Sequence, residues 1–212
     1  MITGISFGRG VLFHNRKVLA CAEVRGGVIH SWAEPITFRT LFKMWWRIIF
    51  AIPWYYQLFH ICLVLSILFF NIDPLWLIIY GVGYHFVFPK QLKQFHGAEH
   101  KVFSYQGEKK LEHWNEIRQA SIVNSGCSTN YVTYFFVFFL PVCWFLPLWE
   151  SVLIGAGGMV AGLIGERYIR SYLKPFFVIS GFLQKYVTTK EPERIHLETA
   201  IRSYRLFQHI QK

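Results

Sequence analysis

The side chains best placed to do chemistry are His96-Gly97-Ala98-Glu99-His100. On a helix, His96 and His100 stand one turn apart on one face, where two imidazoles can bind one metal ion. Glu99 sits beside them, as a further ligand or as the base that activates water. The order H-x-x-E-H is also that of the reversed zinc-hydrolase motif. A zinc site takes about four ligands, one of which can be water. The nearby donors are Glu108, His113, Glu116 and Cys127, and none has a spacing that singles it out. The bland alternative is a hydrogen-bonded polar knot that fixes a loop.

Other reactive side chains have weaker claims. Cys127 reads equally as a soft ligand or nucleophile and as a small residue at a helix start. Glu166 could complete a site, although an ion pair with Arg167 or Arg170 is simpler. His60 and His85 lie in or near apolar runs, where ionisable groups are functional candidates by default. Neutral hydrogen-bonded helix contacts are the simpler reading for both.

The elements that must position these groups alternate in character. Residues 1–36 read as a small β-meander: Gly10–Phe13, Val18–Val24 and Val28–His30 are short strands, and His14–Lys17 and Arg25–Gly27 are turns. Residues 37–47 mix Arg39, Lys43 and Arg47 with Leu41, Phe42, Trp45 and Trp46, the pattern of an interfacial helix. Residues 48–70 carry no formal charge, enough chain to cross about 30 Å of hydrocarbon, with a kink expected at Pro53. Residues 75–88 form a second, short span, 131–149 a third, and 152–165 open a fourth. That fourth span contains Gly158-x-x-x-Gly162, which permits close helix contact. Glu191-Pro192 is expected to start a last helix, with Leu197, Ala200, Ile201, Tyr204 and Phe207 as its apolar stripe.

Composition agrees with a membrane protein. The 212 residues are 53% apolar, 19% aromatic and only 16% charged, against about 25% charged in soluble domains. Mean hydropathy is +0.30. The formal net charge is +10, but its placement argues against nucleic acid. Lys and Arg number seven in 1–56, six in 89–130 and nine in 166–212, with none in 57–88 or 131–165. That is the positive-inside pattern, with the basic excess facing anionic headgroups. MITGISFGRG lacks the basic start and apolar core of a signal peptide. The four cysteines show no C-x-x-C spacing, and reduced thiols in a bacterial-type cytoplasmic setting are expected.

Three separated blocks resemble one family. The first is Phe95-His-Gly-Ala-Glu-His-Lys101 with Tyr105-Gln-Gly-Glu108. The second is Cys127-Ser-Thr129. The third is Leu183-Gln-Lys-Tyr-Val-Thr-Thr-Lys-Glu-Pro192. Together they are similar to the YqhQ-type bacterial membrane proteins, described as candidate metal-dependent enzymes of unknown function. The resemblance implies a metal held by the first block. Around the cysteine the family pattern resembles His-Pro-Arg-Cys-Gly-Thr. Here the stretch is Asn124-Ser125-Gly126-Cys127-Ser128-Thr129, so a family histidine is replaced by Asn124 and a family arginine by Gly126.

The expectation is a mainly α, polytopic helical membrane protein of about four spans, in one domain over 1–212. Its parts are the cytoplasmic meander (1–36), interfacial helix and spans one and two (37–88), and a cytoplasmic HGAEH segment (89–130). Spans three and four (131–168) and amphipathic cytoplasmic helices (169–212) complete it. Both termini face the cytoplasm of a bacterial inner membrane. His96, His100, Cys127 and Glu108 are the candidate ligands of a divalent metal such as zinc, and Glu99 is the candidate catalytic base of a hydrolase. The alternative is a non-catalytic assembly factor, scaffold or transporter accessory with an eroded site; metal-ion transport is a weaker third reading. Homo-oligomers and protein partners are left open.

Overall fold

A computed structural model describes residues 2–211. In chain order the strands are β1 (Thr3–Phe7), β2 (Gly10–His14), β3 (Val18–Arg25) and β4 (Val28–Pro35). The helices are α1 (Phe38–Phe50), α2 (Trp54–Phe70), α3 (Leu75–Gly83), α4 (Lys90–Ser104), α5 (Trp114–Gln119), α6 (Thr129–Val142), α7 (Leu148–Tyr168), α8 (Lys174–Leu183) and α9 (Arg194–Gln211). The protein is therefore mainly helical with a small N-terminal sheet. It divides into two compact units that interleave along the chain. The first comprises Met1–Tyr56, Pro89–Asn124 and Thr189–Lys212, and the second Gln57–Phe88 and Ser125–Thr188.

The first unit is built on an antiparallel meander in the order β1-β2-β3-β4. Strand β1 adds to the three strands expected from the sequence; Thr3 to Phe7 pairs with His14 to Gly10. Gly26 and Gly27, both at positive φ, make the two-residue turn between β3 and β4. That conformation matches the twist of paired strands and favours glycine. Side chains alternate across the sheet. Val11, Phe13 and Ala20 join Phe95, Ala98 and Val102 of α4 and Leu197, Ala200, Ile201 and Phe207 of α9 in one buried core. On the other face, Leu12, Leu19 and Cys21 pack with Ala51, Met44 and Ile48 beside α1. Each fully buried side chain of this kind contributes roughly 1.5–3 kcal/mol relative to exposure.

Helix α1 starts at Thr37, whose hydroxyl accepts from the Thr40 backbone N–H. Lys43 and Arg47 form ion pairs with Glu34 and Glu23 and lie over the Trp32 ring at 4.4 and 4.9 Å. Phe38, Phe42, Trp45 and Trp46 are exposed on the same helix.

The second unit is helical. Ile79 of α3, Phe135 and Phe139 of α6 and Val152 of α7 form its apolar core. Gly158 and Gly162 lie against the rings of Phe138 and Tyr134, where a Cβ would overlap either ring. The small-residue motif thus does what its spacing implies. A buried polar seam links Asn130, Ser180 and Gln184: the Asn130 amide oxygen accepts from Ser180 Oγ at 2.6 Å.

Among the described residues, α7 alone is long and apolar enough to cross a membrane, or two segments qualify if α1 and α2 count as one broken span. The four expected spans are thus not recovered as four long helices. The uncharged run 48–70 is not one helix: α1 ends at Phe50 and α2 begins after Pro53, which lacks the N–H a continuous helix needs. The expected third span stops at Val142, and its last residues belong to α7. The terminal helix starts at Arg194, two residues beyond Pro192.

Candidate metal centre

HGAEH lies in the middle of α4, and all five of its residues are buried. Few helices bury so polar a stretch; here each polar side chain has its own reason. His96 and His100 stack edge to face with ring centroids 4.4 Å apart, as the i, i+4 spacing requires. His100 Nδ1 lies 2.6 Å from the Ile122 carbonyl oxygen. A carbonyl only accepts, so Nδ1 carries the proton and Nε2 presents its lone pair. This is the arrangement that fixes the tautomer and ring orientation of a metal-binding histidine. Burial holds the His100 imidazole neutral, with its pKa lowered to about 4 against the smaller opposing effect of the Ile122 carbonyl.

The segment carrying that carbonyl is itself anchored. Lys101 is buried, and its Nζ donates to the carbonyls of Arg118 at 2.6 Å and Ala120 at 3.2 Å. It also pairs with Glu191 Oε2 at 3.2 Å. Gly97 serves the same assembly: a Cβ there would overlap the Lys190 carbonyl oxygen and press on Ile122 Cδ1. Lys190 N in turn donates to Lys93 O at 3.0 Å. Thus the Thr-Lys-Glu-Pro block crosses α4 at its one glycine.

His96 and His100 are buried in the first unit, and Cys127, also buried, belongs to the second. Two imidazoles and a thiol suit zinc and similar transition metals. The Thr129 backbone N–H donates to Cys127 Sγ at 3.4 Å at the start of α6.

Glu99 and Glu108 are engaged elsewhere in the first unit. Glu99 lies against β1: a Cβ at Gly4 would overlap its carboxyl group, and the Ser6 hydroxyl hydrogen-bonds it. Burial pushes its pKa up to about 7, with the Ser6 bond opposing. Glu108 is exposed and pairs with Lys110 at 2.8 Å. The remaining donors are engaged elsewhere. His113 Nδ1 lies 2.9 Å from the Glu108 carbonyl, and Glu116 accepts from Tyr105. Glu166 accepts from Tyr134 at 3.2 Å, His60 lies 2.8 Å from Tyr80 Oη, and His85 lies 2.9 Å from Ser128 Oγ.

The model of the family described as "Protein of unknown function (DUF1385)" matches residues 42–209. The chain belongs to that family. No curated protein and no solved structure matches it. The matched stretch of this DUF1385 protein takes in α4, the anchoring segment around Ile122, Cys127 and the Lys190 crossing. Sequence reasoning did not find the Ile122 carbonyl, the Lys101 anchor or the Gly4–Ser6 contact with Glu99. One signal was available for the second: a lysine immediately after His100, on a helix otherwise turned to the core.

Proposed function

We propose that this chain is a YqhQ-type integral membrane protein of the bacterial inner membrane that binds one divalent transition metal through His96, His100 and Cys127, and that it is a metal-dependent hydrolase. The observation that carries the metal reading is the Nδ1–H of His100 on the Ile122 carbonyl, which turns Nε2 into a preset ligand beside His96. A divalent ion supplies Lewis-acid polarisation and activation of water for hydrolysis. The protein's own part is to keep His100 neutral, hold the anchoring segment through Lys101, and exclude bulk water by burial.

Membrane residence is supported by the exposed apolar surface. Trp54, Leu68, Phe69 and Phe70 of α2, Trp144 and Phe145, and Val178 and Phe182 of α8 are all exposed. Exposed apolar side chains in this number are ones that lipid would cover. The exposed aromatics of α1 fit the headgroup layer, with anionic lipid as partner to the basic excess.

One pair of observations favours a second reading, a scaffold or assembly factor with an eroded site. Glu99 turns its carboxyl group to β1, and Asn124 stands where the family resemblance implies a histidine.

Metal analysis of the full chain, purified without chelator, tests the proposal. About one zinc-type ion per chain is expected, falling sharply in His96→Ala and in His100→Ala. Wild-type protein that is folded and metal-free after zinc addition removes the enzyme reading and leaves the scaffold.

A further inference from the structure

Helix α1 carries Arg39, Lys43 and Arg47, and the last two are turned to the sheet. Lys43 pairs with Glu34 of β4 and Arg47 with Glu23 of β3. Glu23 is buried, and the same carboxylate oxygen accepts from Arg25 at 2.8 Å and from the Trp32 indole N–H at 3.4 Å. Lys43 and Arg47 also lie over the Trp32 ring. Two cations, two carboxylates and one indole thus form a single knot between α1 and the last two strands. A buried carboxylate stripped of its cation is costly, so Arg47 is held in place.

The rest of that side of α1 is also occupied. Met44 and Ile48 pack with Leu12, Leu19 and Cys21. The Thr40 hydroxyl donates to the Pro35 carbonyl at 2.8 Å.

The outer side differs in kind. Phe38, Leu41, Phe42, Trp45, Trp46 and Phe50 are all exposed, Phe38 at 87%. Phe42, Trp46 and Phe50 follow one another at i, i+4, with successive ring centroids 6.2 and 4.4 Å apart. Trp54 and Tyr55 continue the exposed aromatics past Pro53. Of the cations on α1, only Arg39 lies outside the knot, and it is exposed.

We propose that α1 binds the bilayer through its aromatic face, at the boundary of headgroups and acyl chains, and that this contact does not select anionic lipid. The inference rests on the membrane reading above and names the lipid chemistry that α1 uses. Interfacial helices draw on buried apolar area and on attraction to anionic headgroups. Here Lys43 and Arg47 serve a different end: they set the roll of the helix, so that the aromatics face outward. Two cations facing lipid would favour an anionic headgroup by about fivefold each, or roughly 25-fold together.

The full chain reconstituted in bilayers of phosphatidylcholine and phosphatidylglycerol in equal amounts tests it. One lipid at a time is brominated near the headgroup, and the quenching lost in Trp45→Phe/Trp46→Phe reports the lipid beside α1. Quenching by the two lipids equal within about twofold, at low and at high salt, is expected. Arg39→Gln should leave that ratio unchanged. Enrichment of phosphatidylglycerol by about fivefold or more, falling with salt, would overturn the inference and leave the membrane reading intact. So would a loss of phosphatidylglycerol quenching alone in Arg39→Gln. Absence of quenching by either lipid also overturns it. If the chain still floats with liposomes, a protein surface covers α1; if it does not, the membrane reading falls as well.

Discussion

At the scale of residues, two buried titratable groups on α4 pull stability in opposite directions. Glu99 has its pKa raised from 4.5 to about 7, chiefly by burial. Between those values the folded chain holds a proton that the unfolded chain has lost, so this contribution is full below pH 4.5 and lost as pH rises through 7. His100 is lowered from 6.5 to about 4, chiefly by burial. Between 4 and 6.5 the unfolded chain binds the extra proton, so this contribution is lost as pH falls. Glu99→Gln leaves the histidine slope alone. Metal-free Glu99→Gln should gain on wild type between pH 5 and pH 8, by on the order of 3 kcal/mol at most, in denaturant titrations at the two pH values. A parallel pH dependence of both proteins would refute the raised carboxyl. The same substitution separates its roles once a substrate is found: loss of activity by roughly 100-fold with metal retained marks a base, and retained activity marks an anchor. The histidine pair was legible because i, i+4 spacing is local. The fate of Glu99 was not, because a side chain three residues after His96 and one before His100 lies at the edge of their face. Only the pairing of β1, some 90 residues earlier, decided that it turns to the sheet.

At the scale of elements, α4 is useful because three segments cross it closely. Gly97→Ala would place a methyl group against the Lys190 carbonyl. A loss of roughly 1–3 kcal/mol in stability is expected, with faster hydrogen exchange at residues 118–122 and 189–192 and lower metal content. Unchanged exchange there would show that the crossing does not hold the site. Helix α1 invites a different measurement. Its exposed Trp45 and Trp46 should be quenched by lipids brominated near the headgroups and little by lipids brominated at the chain ends. Deep quenching, or none, would remove the interfacial assignment. The apolar stripe of α9 was readable in full: Leu197, Ala200, Ile201, Tyr204 and Phe207 are all buried. Span lengths were not: the break at Pro53 was expected and is present, but counting uncharged residues cannot see that the chain turns between Val142 and Leu148.

At the scale of the whole molecule, the charge blocks set the expected topology. Reporter fusions at positions 72 and 150 should read as exported and one at 110 as internal. An exported signal at 110 would put HGAEH on the wrong side of the membrane. The interleaving of the two units bears on how such a chain is made. The first unit cannot close its core until α9 reaches the sheet, and Ser203 Oγ bonds the Ala20 carbonyl across 183 residues of sequence. The β-meander therefore leaves the ribosome long before its cover exists, and the face carrying Val11, Phe13 and Ala20 is completed only by the last helix made. Both the closing of this core by α9 and the Lys190 crossing at Gly97 draw on the last quarter of the chain, so the first unit is finished late.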